Sequence, residues 1–120
     1  MPIVKVELVG KHAPQEKKDL MEFIADQVCT LTNTQKKNIF VYINEWDPEN
    51  ARKSSPVVLI DWTMMPDRTP EVKQTIMTNV TNRLVEMTGA NPTDVVVIFT
   101  DIPLNSASVG GVTRAANPDL

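Results

Sequence analysis

The second half of this 120-residue chain repeats the first half at a constant offset of 56 residues (70 minus 14). Without a gap, Ala13-Pro14 aligns with Thr69-Pro70, and residues of similar character continue to coincide: Lys17 and Lys73, Leu20 and Ile76, Met21 and Met77, Ile24 and Val80, Ile39 and Val95, Val41 and Val97, Glu45 and Asp101. The chain is therefore predicted to be one domain made of two repeats, about residues 1–53 and 56–111, with a short C-terminal tail.

The first copy has the pattern of a strand, a helix and a second strand. β-Branched and aliphatic residues predict strands at Ile3–Val9 and Ile39–Ile43. Pro14 suits the first turn of a helix, and apolar residues recur at helical spacing as far as about residue 32: Leu20, Met21, Ile24, Val28 and Leu31.

The second copy follows the same order. Strands are predicted at Val57–Thr63 and Val95–Phe99, and the helix between them begins after Thr69, a good N-cap residue, and ends at Gly89. The polar, turn-rich segment Asp47–Ser55 is the predicted linker between the copies.

This order of elements predicts an α/β (α+β) fold in which tandem β-α-β units form a four-stranded sheet with two helices on one face. Each helical crossover makes the two strands of its unit parallel. The other face of the sheet is left uncovered, yet strands such as residues 95–98 are apolar on both faces. A homo-oligomer that packs sheet against sheet is therefore expected.

Composition excludes several classes of function. The formal net charge is −3, and the lysines and arginines are scattered, which argues against a nucleic-acid partner. No apolar run is long enough to cross a bilayer and the first residues do not form a secretory signal, so no membrane partner and a cytoplasmic location are expected. One cysteine, Cys29, and one histidine, His12, predict neither a disulfide nor a metal site, and no cofactor is expected.

Pro2 directly follows the initiator methionine and opens the first strand. Methionine before a small residue is normally removed, which would leave the Pro2 nitrogen as a free secondary amine. An α-amino group has a pKa near ~8, and burial beside cations would lower that pKa towards the neutral range in which a general base works best. The alternative is a chance Met-Pro start.

Four segments together resemble the tautomerase superfamily. They are the start Met1–Val6, the helix entry Arg68–Lys73, the strand Val95–Asp101 and the turn Ser108–Gly111. The likeness is greatest to 4-oxalocrotonate tautomerase, whose short subunit is a single strand, helix, strand unit. This chain resembles a fused pair of such units, and the resemblance spans nearly the whole sequence.

The resemblance implies a β-α-β-β-α-β trimer and an N-terminal proline that moves a proton between atoms of an enol or dienol acid. It predicts an isomerase, a cofactor-independent tautomerase with Pro2 as catalytic base and acid and a small-molecule carboxylate as substrate. Arg68 stands where the family has its helix-entry arginine, while the first copy has His12, preceded by Lys11. Substrate binding is assigned to Arg68, Lys11, His12 and Arg52, and a solvated surface charge remains the alternative for each.

Two departures from the family pattern affect the predicted activity. The family's strand arginine falls on Phe40 in the first copy and Val96 in the second, and its aromatic wall falls on Ala51 and Ala107. The same scaffold supports dehalogenases, hydratases and decarboxylases, malonate semialdehyde decarboxylase among them, and these remain alternatives. A non-catalytic oligomeric binding module is another. Arg114, in the tail, is interpreted as a remote cation.

Overall fold

The computed structural model describes residues 1–118, and the last two residues of the tail, Asp119 and Leu120, lie outside the described part. Its helices and strands, in chain order, are β1 (Ile3–Val9), α1 (Pro14–Leu31), β2 (Phe40–Trp46), β3 (Val57–Thr63), α2 (Pro70–Thr88), β4 (Val96–Ile102), β5 (Ser108–Val109) and β6 (Val112–Thr113). Short 3₁₀ turns, such as Lys36–Asn38, join several of them. No helix within residues 1–118 is both long enough and apolar enough to cross a membrane.

The main sheet has the strand order β2-β1-β3-β4. Each β-α-β unit contributes a parallel pair, β1 with β2 and β3 with β4, and the two units meet where β1 and β3 pair antiparallel. This is the predicted fold class, and it is confirmed. The antiparallel junction places the start of β1 at the same end of the sheet as the end of β3, because Ile3 lies opposite Asp61.

Both helices cover one face of this sheet. Alternate residues of β1 and β3, such as Val4, Val6 and Ile60, are fully buried against apolar residues of α1 and α2. The helix residues Leu20, Ile24, Val28, Ile76, Val80 and Leu84 complete this core. The helical spacing in the sequence therefore marks the face of each helix that packs on the sheet.

The boundaries of β1 and β3 are those predicted, whereas β2 and β4 both extend further than predicted. β2 runs from Phe40 to Trp46 and β4 from Val96 to Ile102. Polar residues such as Asn44 and Glu45 looked like strand ends, but the ladder with Glu7 and Leu8 continues through them. Backbone pairing with a central strand outweighs the polarity of these side chains.

The repeat is visible in the structure, with one local difference in length. The loop before α1 is residues 10–13, whereas the loop before α2 is residues 64–69 and is two residues longer. The ion pair between Lys17 and Glu45 recurs 56 positions later between Lys73 and Asp101. The longer loop carries Arg68, so the insertion sits beside the predicted site.

The face of the sheet opposite the helices is exposed and rich in large apolar residues. Tyr42 is 57 % exposed and Ile98 is 48 % exposed, and Phe40, Trp46 and Val96 lie on the same outer strands. Contiguous exposed apolar surface of this kind marks an interaction site in soluble proteins.

Candidate active site at the N-terminal end of the sheet

Pro2 is buried at the start of a central strand. Its carbonyl oxygen accepts a hydrogen bond from the backbone N–H of Phe40 at 2.9 Å, which extends the β1–β2 ladder to the residue before β1. Pro56 is held in the same way in the second copy, since its carbonyl accepts from the N–H of Val96 at 3.3 Å. Both prolines are therefore fixed by backbone pairing at opposite ends of the sheet.

The loop that follows β3 brings Arg68 to the Pro2 end. Its Nη1 donates to the backbone carbonyl oxygen of Thr63 and to Thr63 Oγ1 (3.0 Å), and its Nη2 donates to Thr34 Oγ1 (3.1 Å). The guanidinium carbon lies 5.0 Å from the ring centroid of the buried Trp62. Two threonines and a tryptophan thus fix the orientation of the guanidinium plane.

The Nε edge of the Arg68 guanidinium differs from the edge held by the threonines. The Nε–H is buried and has no hydrogen-bond partner among residues 1–118. Guanidinium carries five N–H donors, so Nε–H and the second Nη2–H form a parallel pair suited to a carboxylate. Burial lowers the pKa of Arg68, chiefly by desolvating its charge. An anion that reached this unpartnered edge would compensate the desolvated charge of Arg68.

The terminal amine of the chain lies close enough to Arg68 to be affected by its positive charge. With Met1 in place, the pKa of the chain's amine falls from 8.0 to about 5, first because the amine is half-buried and then because Arg68 and Arg114 are nearby cations. An amine with a pKa near 5 is mostly uncharged at neutral pH, as a general base must be. This end of the sheet therefore suits a basic nitrogen.

Arg114 is not the remote cation expected from the sequence. Its side chain is only 1 % exposed, and it donates to the backbone carbonyl oxygens of Asn117 and of Pro118, the latter at 2.9 Å. Its own backbone N–H donates to the carbonyl of Ala107 at 2.9 Å. The β5–β6 hairpin folds the tail back, so a residue far along the chain acts electrostatically on the terminus. The Gly110-Gly111 turn was the available sequence signal for this reversal.

A cleft of about 240 Å³ opens beside the terminus. Its lining comes from the start of β1, the segment that precedes β2, and the hairpin, and includes Met1, Ile3, Lys37, Phe40, Ser108 and Val109. Neither Lys37 nor Ser108 is a site residue predicted from the sequence, because the pairing of β2 with β1 brings Lys37 to this cleft and the folded hairpin brings Ser108.

The other predicted binding residues lie at the opposite end of the sheet. Lys11 and His12 follow the end of β1, roughly 20 Å from Pro2 at the usual rise of a seven-residue strand. The His12 backbone N–H donates to Glu45 Oε2 at 2.7 Å. Arg52 is an exposed residue of the linker after β2 and also lies at that end. Within one chain, these three residues are therefore not brought together with Pro2 and Arg68.

A second cleft, of about 220 Å³, lies at that opposite end and is the counterpart of the first. It is lined by Ser55 and Val57 on either side of Pro56, together with Glu7, Trp46 and Lys53 among others. Trp46 Nε1 donates to Glu7 Oε2 at 2.6 Å, and Lys53 pairs with Asp94. Trp46, Glu7 and Lys53 of this cleft therefore already have side-chain partners within the described residues.

The positions that replace the family's strand arginine are apolar and lie on the uncovered face. Phe40 is 47 % exposed and Val96 is 44 % exposed. Trp62 is in the core, with its ring centroid 4.7 Å from that of Phe99, and its Nε1 donates to Asp101 at 2.7 Å. Trp62 therefore supports Arg68 from the core. Among residues 1–118, no group of three or more potential metal ligands is found.

The sequence model of the Tautomerase family, described as a tautomerase enzyme, matches residues 56–117, just over half of the chain. No curated protein matches the sequence. Solved structures match closely in fold at low identity. The Q0 fused 4-OT, a wild-type symmetric trimer, superposes with a TM-score of 0.84 at 19% identity, covering 96% of this chain and 98% of that one.

Two further solved structures have the same fold as this chain. A native fused 4-OT gives a TM-score of 0.78 at 19% identity over 95% of this chain and 97% of that one. Malonate semialdehyde decarboxylase gives 0.74 at 19% identity over 98% of each chain. On the family match and the shared architecture, the chain belongs to the tautomerase family and has the fold of the fused 4-OT proteins.

Proposed function

We propose that this protein is a cofactor-independent isomerase that catalyses keto-enol tautomerisation of a small 2-keto or enol carboxylate, with Pro2 as general base and acid. The observation that carries the proposal is the electrostatics of the N-terminus, where burial and two arginines hold the amine pKa near 5. Pro2 is the residue next to that amine. After removal of Met1, its nitrogen would occupy the same end of the sheet and experience the same cations.

In the proposed reaction, the neutral Pro2 nitrogen takes a proton from the carbon next to the substrate's carbonyl group. The electrons of the broken C–H bond form the C=C bond, and the carbonyl π electrons move to oxygen. Protonated Pro2 then returns a proton to oxygen or to another carbon of the conjugated system. The protein supplies a base with a suitable pKa and positive charge where the negative charge develops.

Arg68 is proposed to bind the substrate's carboxylate through its Nε–H and the free Nη2–H. Thr63 and Thr34 hold the other edge, so the open pair of donors points in a fixed direction. A planar arginine with one edge fixed loses little conformational entropy when it binds a carboxylate. Lys11, His12 and Arg52 stay predictions, and they could act at a Pro2 site only if it belonged to another chain.

A homo-oligomer, most simply a trimer, is proposed as the working form. The uncovered apolar face needs a partner, and the fused 4-OT structure with the same fold is described as a symmetric trimer. A cytoplasmic location stays a prediction from the sequence.

A second candidate is another reaction on the same scaffold. The observation that favours it is the loss of both strand arginines, at Phe40 and Val96, which removes a charge from the side of the carbonyl group. Decarboxylation, hydration and dehalogenation also use a basic or acidic proline and would keep the role of Pro2. A non-catalytic binding module would not.

The test compares Pro2→Ala with Pro56→Ala. Both prolines are buried and both accept a backbone hydrogen bond from the neighbouring strand, so the two substitutions disturb the fold in similar ways. Only Pro2 has a nitrogen that can become an amine. Mass spectrometry first establishes that Met1 has been removed, and turnover of phenylenolpyruvate and 2-hydroxymuconate is then measured.

Pro2→Ala is expected to lower kcat although a terminal amine remains, because the primary amine of alanine lacks the ring that fixes the proline nitrogen, while Pro56→Ala keeps most of the activity. Protein that retains Met1 should be inactive, because its Pro2 nitrogen is an amide. Equal rates for wild type and Pro2→Ala would reject the catalytic role of the proline.

A further inference from the structure

The loop that carries Arg68 is built around a four-residue turn. The backbone N–H of Arg68 donates to the carbonyl oxygen of Met65 at 3.1 Å, which closes a β-turn with Pro66 and Asp67 at its two central positions. Proline at the first central position suits such a turn, because its ring already restricts φ to the required range. The loop that is two residues longer than residues 10–13 therefore contains a defined turn ending at Arg68.

Asp67 fixes this turn to the loop that follows α1. Its Oδ2 accepts a hydrogen bond from the backbone N–H of Asn33 at 2.6 Å. The next residue of that loop, Thr34, accepts from Nη2 of Arg68 at 3.1 Å through its Oγ1. Two neighbouring residues of the second copy are thus bound to two neighbouring residues of the first copy.

The equivalent position in the first copy is held in a different way. His12, 56 residues before Arg68 (68 minus 12), donates its backbone N–H to Glu45 Oε2 at 2.7 Å, and Glu45 belongs to the same copy. Asp67 and Arg68 are instead held by residues of the other copy. The loop that presents an arginine at the Pro2 end of the sheet is therefore the one that is tied across the two copies.

Asp67 could also act on Arg68 through its negative charge. Burial lowers the pKa of Arg68, and the charge of Asp67 acts in the opposite direction. The two side chains form no ion pair with each other in the part of the chain that the structure describes, residues 1–118. The hydrogen bond that Asp67 makes goes to the Asn33 N–H, which favours a tether over charge compensation.

We propose that Asp67 is a positioning residue for Arg68, because its hydrogen bond to Asn33 holds the turn at residues 65–68 and thereby the direction of the Nε edge of the guanidinium. This inference rests on the proposed function, in which Arg68 binds the substrate's carboxylate. Without the tether, Arg68 keeps its charge and its donors, but binding a carboxylate must then order a loop that the native protein already holds in place. Asp67 acts through Arg68, so its removal should affect KM and leave kcat nearly unchanged.

The experiment compares Asp67→Ala, Asp67→Asn and Asn91→Ala with wild type, in protein from which Met1 has been removed. Asp67→Ala removes the acceptor and the charge, whereas Asp67→Asn removes the charge and keeps an oxygen that can accept from the Asn33 N–H. Asn91→Ala is the matched control, because Asn91 Oδ1 accepts from the backbone N–H of Thr93 at 3.1 Å in a loop at the other end of the sheet. KM and kcat are measured with phenylenolpyruvate, and Kd with 3-phenylpropanoate, a carboxylate that has no keto or enol group.

Asp67→Ala is expected to raise KM and Kd about fivefold, the order of effect of one hydrogen bond, while Asp67→Asn and Asn91→Ala stay close to wild type. In an Arg68→Gln background, Asp67→Ala should add no further increase, because the residue through which Asp67 acts is gone. Asp67→Ala and Asn91→Ala each remove one exposed loop hydrogen bond, so denaturant unfolding should show similar, small losses of stability.

Three results would overturn the role of Asp67. The first is that Asp67→Ala leaves KM and Kd unchanged. The second is that Asp67→Ala raises both values as much in the Arg68→Gln background as in wild type. The third is that Asp67→Asn has the same effect as Asp67→Ala, which would show that the charge matters and the tether does not.

The Kd measurement separates this inference from the proposed function. If wild type does not turn over phenylenolpyruvate but binds 3-phenylpropanoate in a way that depends on Asp67 and Arg68, the tautomerase proposal fails and the role of Asp67 stands. If turnover depends on Pro2 and Asp67→Ala changes neither KM nor Kd, only the role of Asp67 fails. Absence of both turnover and 3-phenylpropanoate binding overturns both.

Discussion

At the scale of single residues, the two edges of the Arg68 guanidinium have different surroundings in the candidate site. Thr63 and Thr34 occupy one edge, and the other edge is buried with its Nε–H unpartnered among the described residues. A lysine at this position would supply a point charge without the planar pair of donors. The effect of the positive charge of Arg68 can therefore be tested with Arg68→Gln, and the effect of its planar pair of donors with Arg68→Lys.

Arg68→Gln should move the acid limb of kcat/KM to higher pH. With Met1 in place, Arg68 is the second largest cause, after burial, of the lowered pKa of the terminal amine. The Pro2 amine of the processed chain is proposed to experience the same cation, so removing Arg68 should raise the pKa of Pro2. Because the base must be uncharged, activity is lost as pH falls through the amine pKa, and a higher pKa brings that loss closer to neutral pH. The pH dependence of kcat/KM measures the shift.

Arg68→Lys keeps the positive charge and should leave the acid limb in place while raising KM for carboxylate substrates. Arg83→Gln is the control. Arg83 lies over the ring of Phe23 on the helical side of the sheet, so this substitution removes one positive charge away from the terminus. An acid limb that is the same in wild type and Arg68→Gln would remove Arg68 from the environment of the amine.

At the scale of elements, the β5–β6 hairpin completes the site. Its turn uses Gly110 and Gly111 with φ of +61° and +80°, a backbone conformation that other residues adopt only with strain. The hairpin places Ser108 and Val109 on the cleft and carries Arg114 into a buried position. A short element near the end of the chain therefore shapes the environment of its beginning.

Gly110→Ala and Gly10→Ala form a matched pair. Both glycines have positive φ and open space where a Cβ would be added, so each substitution should cost about 1–2 kcal/mol through backbone strain alone. Gly10 lies after β1, at the end of the sheet away from Pro2. Only Gly110→Ala is expected to raise KM.

Denaturant unfolding and steady-state kinetics on the two variants provide the measurement. Similar losses in the free energy of unfolding, with a raised KM confined to Gly110→Ala, would agree with a hairpin that shapes the cleft. If Gly10→Ala raised KM as much as Gly110→Ala, the effect would come from general instability and the role of the hairpin would be wrong.

Sequence reasoning succeeded where local pattern decides the structure. Helical spacing, the Thr69 N-cap and the Gly89 terminus gave both helices, and β-branched runs gave β1 and β3 to the residue. The family resemblance drew attention to Arg68. Arg114 was interpreted as remote and Lys37 was not assigned to a site, because their positions depend on tertiary contacts of a hairpin and a turn, which no residue pattern within either segment specifies.

At the scale of the whole molecule, the uncovered sheet face is the expected interface of the proposed oligomer. Ile98→Lys places a charge at the centre of a strand on that face and should shift the protein towards the monomer, because burying an unpaired charge in an apolar interface is unfavourable. Thr78→Lys, on the exposed side of α2, is the control. Light scattering coupled to size-exclusion chromatography measures the mass.

Wild type and Thr78→Lys are expected to have the mass of three chains, and Ile98→Lys a smaller mass. A wild-type protein with the mass of one chain would show that the exposed face is stable in water without a partner. An unchanged assembly in Ile98→Lys would place the interface elsewhere on the molecule.

The second proline has a consequence for how such a chain can evolve. Pro56 is joined to Ser55 by a peptide bond, so its nitrogen has no basic lone pair at any pH, although the backbone around it matches that of Pro2. If the proposed function is right, selection for proton transfer acts on the Pro2 cleft and not on the Pro56 cleft. Glu7, Trp46 and Lys53 around the Pro56 cleft would then be released from that constraint, and this end of the sheet could accumulate substitutions that the Pro2 end would not survive.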